Sequence, residues 1–386
     1  MLRILSVAII LLLPNLSVAT TFELADENTR VVGHNLIVYS HKEDTLLDIG
    51  RRFDLGYSEI VNANPNLDPW LPGEGQKVLV PNRFILPDAP KRGIVINLAE
   101  MRLYYFPKVQ KGELQKVITH PIGVGREGWT TPLGKANITQ KIKDPSWTPP
   151  ASIHAEHIAK GDPLPKVVPA GPDNPLGAYA MRLSMPGYLL HGTNRPFGVG
   201  LRVSHGCIRL FPEDIEHLFG IVPVNTPVNI LYQPYKAAIF KNDLFLEAHE
   251  VQYDIDSRKG SNMTPMVSAI LGAQNSILAD DDWPFVEKIV REHMGVVKQI
   301  NQSDSDIVDD IWFIHAGINR DSKTKLVQAL TSLSSDDYFW PLQGSAVDEV
   351  VLGPFDSHTK AETKAMELRA VANIEVWTAL ISKEAL

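Results

Sequence analysis

Eight prolines fall between Pro145 and Pro175. Proline lacks a backbone N–H and its ring clashes with the preceding turn, so no long helix can cross this stretch. The fold around it must be built from strands and loops, and the neighbouring sequence agrees. Residues 94–98 and 101–106 flank Ala99-Glu100 in a hairpin pattern. Residues 117–122 form another apolar run before Gly123-Val124-Gly125, and residues 179–183, 188–190 and 228–232 read as strands. Phe211-Pro212-Glu213-Asp214 opens the one clear helix, running to Phe219, with Pro near its first position and acids in its first turn. Residues 91–232 are therefore expected to be a mainly β domain with one helix. The Gly123-x-Gly125 pair lacks the third glycine and the following helix of a dinucleotide loop.

A chain of 386 residues has room for two or three domains. With 44% hydrophobic and 21% charged residues, a wholly disordered or fibrous chain is excluded. The net charge of −8 argues against a nucleic-acid binder. Residues 91–232 hold 16 Lys and Arg against 10 Asp and Glu, so the flanks together carry −14. A basic centre between acidic flanks either meets an anionic ligand or is solvated surface. At the N-terminus, Arg3 precedes the apolar residues 4–13 and Pro14, and Ser17 and Ala19 are small residues at positions −3 and −1. This pattern predicts a signal peptide over residues 1–19, cleaved after Ala19. The apolar run is too short to span a bilayer and no other stretch is long enough, so an exported protein with no membrane span is expected.

Residues 34–82 read strand, helix, helix, strand. Asp44-Thr45-Leu46 opens a helical pattern with Leu47, Ile49, Phe53 and Leu55 on its apolar face, and Asp44 is the expected N-cap. A second short helix carries Ile60 and Val61, and Val78 and Val80 alternate in a closing strand. Beyond residue 232, a hairpin is expected over 235–249 around Lys241-Asn242-Asp243. A helical stretch follows over 264–302 and an acidic linker over 302–310. Residues 311–386 read strand (311–318), helix (322–333), strand (338–342), strand (349–355), helix (360–372), then residues 374–377.

Cys207 is the only cysteine, so the chain can form no intramolecular disulfide and no cysteine-based metal cluster. Alone, it is either an inert buried residue or a reactive thiol. Its surroundings favour reactivity. His191-Gly192-Thr193 and Ser204-His205-Gly206-Cys207-Ile208-Arg209 are joined by a loop containing Pro196, Gly198 and Gly200. A thiol becomes a competent nucleophile beside an imidazole, because the thiolate is the reactive form. Gly206 permits the tight turn that backbone N–H groups need to form an oxyanion hole. Arg209 could hold a carboxylate through a bidentate pair. His154, Glu156 and His157 do not have the His-Glu-x-x-His spacing and have no evident third ligand, so no metal and no cofactor is expected.

At these residues the sequence resembles the L,D-transpeptidase family of bacterial cell-wall enzymes. Every position of the family's histidine-glycine and Ser-His-Gly-Cys-x-Arg motifs is present. The likeness extends to 93–97, 101–105, 121–125, Thr131-Pro132 and 169–175, which look like the periplasmic branch of proteobacteria. It implies a β-sandwich-like catalytic domain with one helix, acting on peptidoglycan in the periplasm. Cys207 would attack the diaminopimelate carbonyl of a tetrapeptide stem, expel D-Ala and form a thioester. His191 would carry the proton, oriented by the Gly192 carbonyl. His205, Gly206 and the Cys207 N–H would shape the oxyanion site, and Ser204 and Arg209 would contact the donor. The acceptor would be a second diaminopimelate, giving a 3→3 cross-link, the C-terminal Lys of an outer-membrane lipoprotein, or water. Trp147, in the Pro-rich stretch, either belongs to a lid over the cleft or packs.

Residues 34–82 resemble a LysM module through Asp44-Thr45-Leu46, Asn62…Asn64, Leu71-Pro72-Gly73 and Val80-Pro81. Residues 311–386 resemble a SPOR module through Val351-Leu352-Gly353-Pro354-Phe355 and the helix after it. Both likenesses imply binding to glycan strands, and a structural module is the alternative for each. Two further activities stay open. One is a Cys-His peptidoglycan hydrolase, which usually places its Cys ahead of its His. The other is a non-catalytic wall-binding protein, against which the intact His191/Cys207 pair argues. The organisation expected is multidomain, with separate modules flanking a self-contained catalytic domain.

Overall fold

The computed structural model describes residues 20–252, 254–255, 263–274, 278–300, 311–318, 328, 349–372 and 376–381. The expected signal peptide, linker 302–310, helix 322–333 and strand 338–342 lie wholly or almost wholly outside these residues.

A nine-stranded curled sheet forms the centre. Its order is Thr20–Glu23, Lys116–Pro121, Arg102–Phe106, Gly93–Asn97, Pro227–Leu231, Gly134–Lys143, Tyr179–Leu183, Leu189–His191, Ile208–Arg209. Pro227–Leu231 pairs parallel with Gly93–Asn97, as Leu189–His191 does with Ile208–Arg209; the other pairs are antiparallel. Strands Gly93–Asn97 and Arg102–Phe106 are buried at every residue. Successive side chains of a strand point to opposite faces, so both faces of this hairpin must be covered. Ile94, Ile96, Leu103 and Tyr105 pack on one side with Ile215 and Leu218. Val95, Tyr104 and Phe106 pack on the other side with Leu46, Ile49, Phe53, Phe313 and Ile381.

Residues 91–232 hold two α-helices rather than the expected one. Pro212–Ile221 is the anticipated helix, and Ala151–Ala159 lies inside the Pro-rich stretch. Nine residues fit between Pro150, which stands at the N-cap, and Pro163, so neither ring interrupts the helix. Residues 34–82 form the expected βααβ unit: Leu36–Tyr39, Leu46–Arg52, Tyr57–Ala63 and Lys77–Val80. The N-cap of its first helix is Thr45 rather than Asp44. Thr45 and Asp48 form a reciprocal capping box, whereas Asp44 accepts from the His41 N–H and pairs with Arg52.

The flanking modules are not separate. Glu349–Phe355, Ile311–Ile318, Trp377–Ile381, Leu36–Tyr39 and Lys77–Val80 form one five-stranded sheet in that order. Ala379 stands opposite Val38, so the N- and C-terminal modules share backbone hydrogen bonds as well as a core. The module likenesses to LysM and SPOR are therefore not supported as independent units. Residues 235–300 give the expected hairpin, Tyr235–Phe240 and Asp243–Ala248, followed by helices Thr264–Gln274 and Trp283–Glu292. No described helix is long and apolar enough to cross a membrane.

Candidate active site

The parallel pairing of Leu189–His191 with Ile208–Arg209 brings the two chemical motifs together. Leu190 lies opposite Ile208 and His191 opposite Arg209, and the Leu210 N–H donates to the His191 carbonyl at 2.9 Å. Cys207 therefore enters its strand beside the strand that carries His191.

The His191 ring is buried, and its Nδ1 lies 2.6 Å from the Gly192 carbonyl. A carbonyl only accepts, so Nδ1 carries the proton and Nε2 keeps its lone pair. Burial, with the Arg209 charge second, pulls His191 down to about 3, against the Gly192 contact. The ring is a neutral base at neutral pH. Burial pushes the Cys207 thiol up, while the Leu189 backbone and Arg209 pull it down, and Sγ lies 3.5 Å from the Gly187 carbonyl. Both shifts favour the neutral forms, thiol and imidazole.

The turn before the thiol is held from several sides. Gly206 has φ +101, and a Cβ there would lie 2.9 Å from Tyr188 Cε1. The Ser204 hydroxyl donates to the Cys207 carbonyl at 2.6 Å and accepts from the Gly206 N–H at 3.1 Å. Ser204 therefore braces the turn, and the Gly206 N–H is already engaged. Thr131 donates to the Gly206 carbonyl at 2.8 Å and accepts from the Gly125 N–H at 3.2 Å. Thr131 carries no chemical signal beyond the Thr-Pro pair, and a site role for it was not legible from sequence.

His205 faces the Ala151–Ala159 helix. Its Nε2 lies 2.9 Å from Glu156 Oε2 and 3.1 Å from the Arg126 guanidinium, and its ring meets Trp129 edge-on. Glu156 also binds Arg126 and Lys160, and Arg126 first among these contacts holds its carboxyl well below the usual range. The acid of the His154-Glu156-His157 trio is thus a clasp between the Ala151–Ala159 helix and the cysteine loop. Trp147 is half-buried and pairs by backbone with Val168. The buried Asn174 amide donates to the Pro145 and Pro169 carbonyls, which pins the Pro-rich stretch. A Cβ on Gly177 would lie 2.9 Å from the Thr193 N, so this stretch closes directly onto the histidine motif.

Arg209 is half-buried, and its Nε is enclosed without a hydrogen-bond partner. Its backbone is fixed by reciprocal bonds with Gly123, at 2.8 and 2.9 Å. A half-buried guanidinium next in sequence to the Cys207 turn and paired by strand with His191 suits an anionic group entering the cleft.

The loop between the motifs is held by the N-terminal module. The Tyr57 N–H donates to Val199, and the Ser58 N–H and hydroxyl donate to the Gly200 carbonyl at 3.3 and 2.6 Å. Beside this contact, Arg102 makes a buried bidentate pair with Glu59 at 2.7 and 3.0 Å. Arg51 pairs with Glu213.

Residues 91–230 match the L,D-transpeptidase catalytic domain, YkuD. The chain is 39% identical over 293 residues to the probable L,D-transpeptidase YbiS of Escherichia coli, covering 73% of this chain and 92% of that one. It is 36% identical over 319 residues to the probable L,D-transpeptidase YcfS of the same organism, covering 81% and 91%. It is 39% identical over 268 residues to the probable L,D-transpeptidase ErfK/SrfK of Escherichia coli, covering 67% and 85%.

Proposed function

The chain belongs to the L,D-transpeptidase family, and on that premise we propose that it is an exported, cysteine-dependent acyltransferase of the peptidoglycan stem peptide. The observation that supports this most is the His191 tautomer. The Gly192 carbonyl holds the proton on Nδ1, so Nε2 is a free base on the strand beside Cys207.

The reaction follows from that arrangement. Nε2 takes the thiol proton as the sulfur attacks the carbonyl of the third stem residue. The oxyanion finds the Cys207 N–H, while the Gly206 N–H stays with Ser204. The C–N bond to the terminal D-Ala breaks and His191 returns the proton to the leaving amine, which leaves a thioester. An amine acceptor then attacks the thioester carbonyl and passes its proton through His191 to the sulfur. A diaminopimelate amine gives a 3→3 cross-link, a lipoprotein Lys gives an anchored lipoprotein, and water gives the shortened stem. Arg209 receives a substrate carboxylate, consistent with the excess of basic residues in 91–232.

Two measurements test the reading. Intact mass after exposure to a carbapenem should show one adduct on the protein and none on Cys207→Ala. Product analysis on disaccharide tetrapeptides should show D-Ala release with dimer formation. Release of stems from glycan, without dimers, would instead identify a hydrolase.

A further inference from the structure

Asp54, His120 and Asp214 meet where the N-terminal module, the catalytic sheet and the Pro212–Ile221 helix converge. Their exposures are 3%, 0% and 0%. His120 Nδ1 lies 3.2 Å from Asp214 Oδ1 and 3.8 Å from Asp54 Oδ2. Both Asp214 oxygens and Asp54 Oδ1 are buried without a well-formed hydrogen bond. Burial, then the Asp54 charge, pushes Asp214 up to about 7. Burial alone would lower His120, but the two acids outweigh it and raise it to about 9.

His120 lies between the two acids, and the raised Asp214 takes up part of their charge as a proton. Arg102 and Arg51 lie within electrostatic reach of Asp54 and Asp214. Arg102 nevertheless directs its guanidinium to Glu59, the Thr119 hydroxyl and the Asp54 backbone carbonyl, and Arg51 holds Glu213. His217 packs edge-on to His120 at 5.9 Å. Asp54 Oδ1 is left buried without a hydrogen-bond partner.

Thr20 faces this cluster through its backbone nitrogen. It is 1% exposed, its backbone N lies 3.3 Å from Asp54 Oδ2, and strand register sets it opposite Thr119, next to His120. It also follows Ala19, the expected cleavage position. Hydrolysis of the Ala19–Thr20 bond adds water across it. The carboxylate leaves with the leader, and the Thr20 nitrogen, previously an amide, becomes a protonated amine.

We propose that signal-peptide cleavage places the new α-ammonium of Thr20 in this cluster as the counter-ion of Asp54, completing the joint between the N-terminal module and the catalytic domain. The inference rests on the export reading above. Processing thereby acts as a maturation step: the precursor presents only a neutral N–H to the acids, the mature chain a charge. A buried charge is tolerated only when paired, so the ammonium and the carboxylates stabilise one another.

The test compares the full-length protein purified after export with the same chain carrying a Gly-Ser extension before Thr20. N-terminal sequencing comes first; a first residue other than Thr20 overturns both the cleavage position and the proposal. With Thr20 confirmed, each protein is treated with limiting acetylating reagent and its α-amine labelling is mapped by mass. A buried amine reacts only through local opening, so the Thr20 amine should label at least about ten-fold more slowly than the extended one. The exported protein should also have the higher Tm, and Asp54→Asn should abolish that difference. If Asp54→Asn does not fold, the labelling ratio decides alone. Equal labelling of the two amines overturns the proposal. So does a zinc-dependent rise in the Tm of the exported protein that accompanies an unprotected amine, since a divalent cation would then be the partner of Asp54, His120 and Asp214.

Discussion

Gly56 and Gly200 meet backbone to backbone, and a Cβ built on Gly56 would lie 2.7 Å from the Gly200 Cα. Gly200 belongs to the loop that joins the histidine and cysteine motifs, and Gly56 is the N-cap of a helix in the N-terminal module. The active-site loop is therefore shaped by a second module, not by the catalytic sheet alone.

This contact gives the first prediction. Gly200 has φ +80, and a Cβ there would lie 2.2 Å from the Tyr57 N. Gly200→Ala should destabilise the protein by about 1–3 kcal/mol, the usual range for overpacking. It should also lower turnover of a soluble muropeptide at a temperature where the protein stays folded. Gly220→Ala, whose Cβ meets nothing within 4 Å, is the control. Equal Tm and turnover in the two variants would show that the loop does not depend on the N-terminal module.

Cys207 and His191 should separate cleanly in kinetics. Cys207→Ala removes the only thiol and should abolish acyl transfer with the fold retained. His191→Ala should slow acylation on the order of 10²–10⁴-fold, the range for loss of a general base. Cross-linking by purified Cys207→Ala would overturn the assignment.

The thiol's pH response follows from the neutral pair. Burial raises the Cys207 pKa, and His191 is already neutral above about pH 3. Alkylation by iodoacetamide should therefore climb with pH through a midpoint above the ordinary thiol range, with no reactive plateau at acid pH. Arg209 pulls the thiol down, so Arg209→Gln should move the midpoint further up. A plateau below pH 6 would mean a resting thiolate–imidazolium pair.

How much of this was legible in the sequence differs by site. The strands over 311–318 and 349–355 and the Cys-His chemistry follow from alternation and from motif residues that lie close in the chain. The Ala151–Ala159 helix was hidden because eight prolines dominate the local signal, yet none falls within its nine residues. The Glu156–His205 clasp was hidden because its partners stand 49 positions apart and either side chain alone could simply face water. The sharing of one sheet by both flanking modules is a long-range pairing of Val38 with Ala379, which no local pattern encodes.

The Glu59–Arg102 pair tests the module joint by charge. The Arg102 side chain is 0% exposed and that of Glu59 12%. Glu59→Gln leaves a buried guanidinium with its counter-charge removed and should cost about 3–5 kcal/mol. Urea denaturation read by Trp fluorescence would measure it, and a change within error would mean that water or another acid takes over the guanidinium.

The shared sheet decides what removal of residues 311–386 should do. Leu36–Tyr39 is flanked by Trp377–Ile381 on one side and Lys77–Val80 on the other. Truncation turns it into an edge strand and uncovers Leu36 and Val38, which are 1% and 2% exposed in the full chain. An uncovered edge with apolar neighbours is unstable and prone to pairing with other chains. The truncated protein should therefore have a lower Tm and faster amide exchange at the Leu36–Tyr39 groups that face the lost strand. Turnover of a small soluble muropeptide should fall as well, because the weakened N-terminal module is what holds Val199 and Gly200. Unchanged exchange over Leu36–Tyr39 would show that the C-terminal strand does not pair there. Protection lost with turnover intact would show that the catalytic loop keeps its shape without its neighbour, and the role of the C-terminal module would then lie in binding the wall.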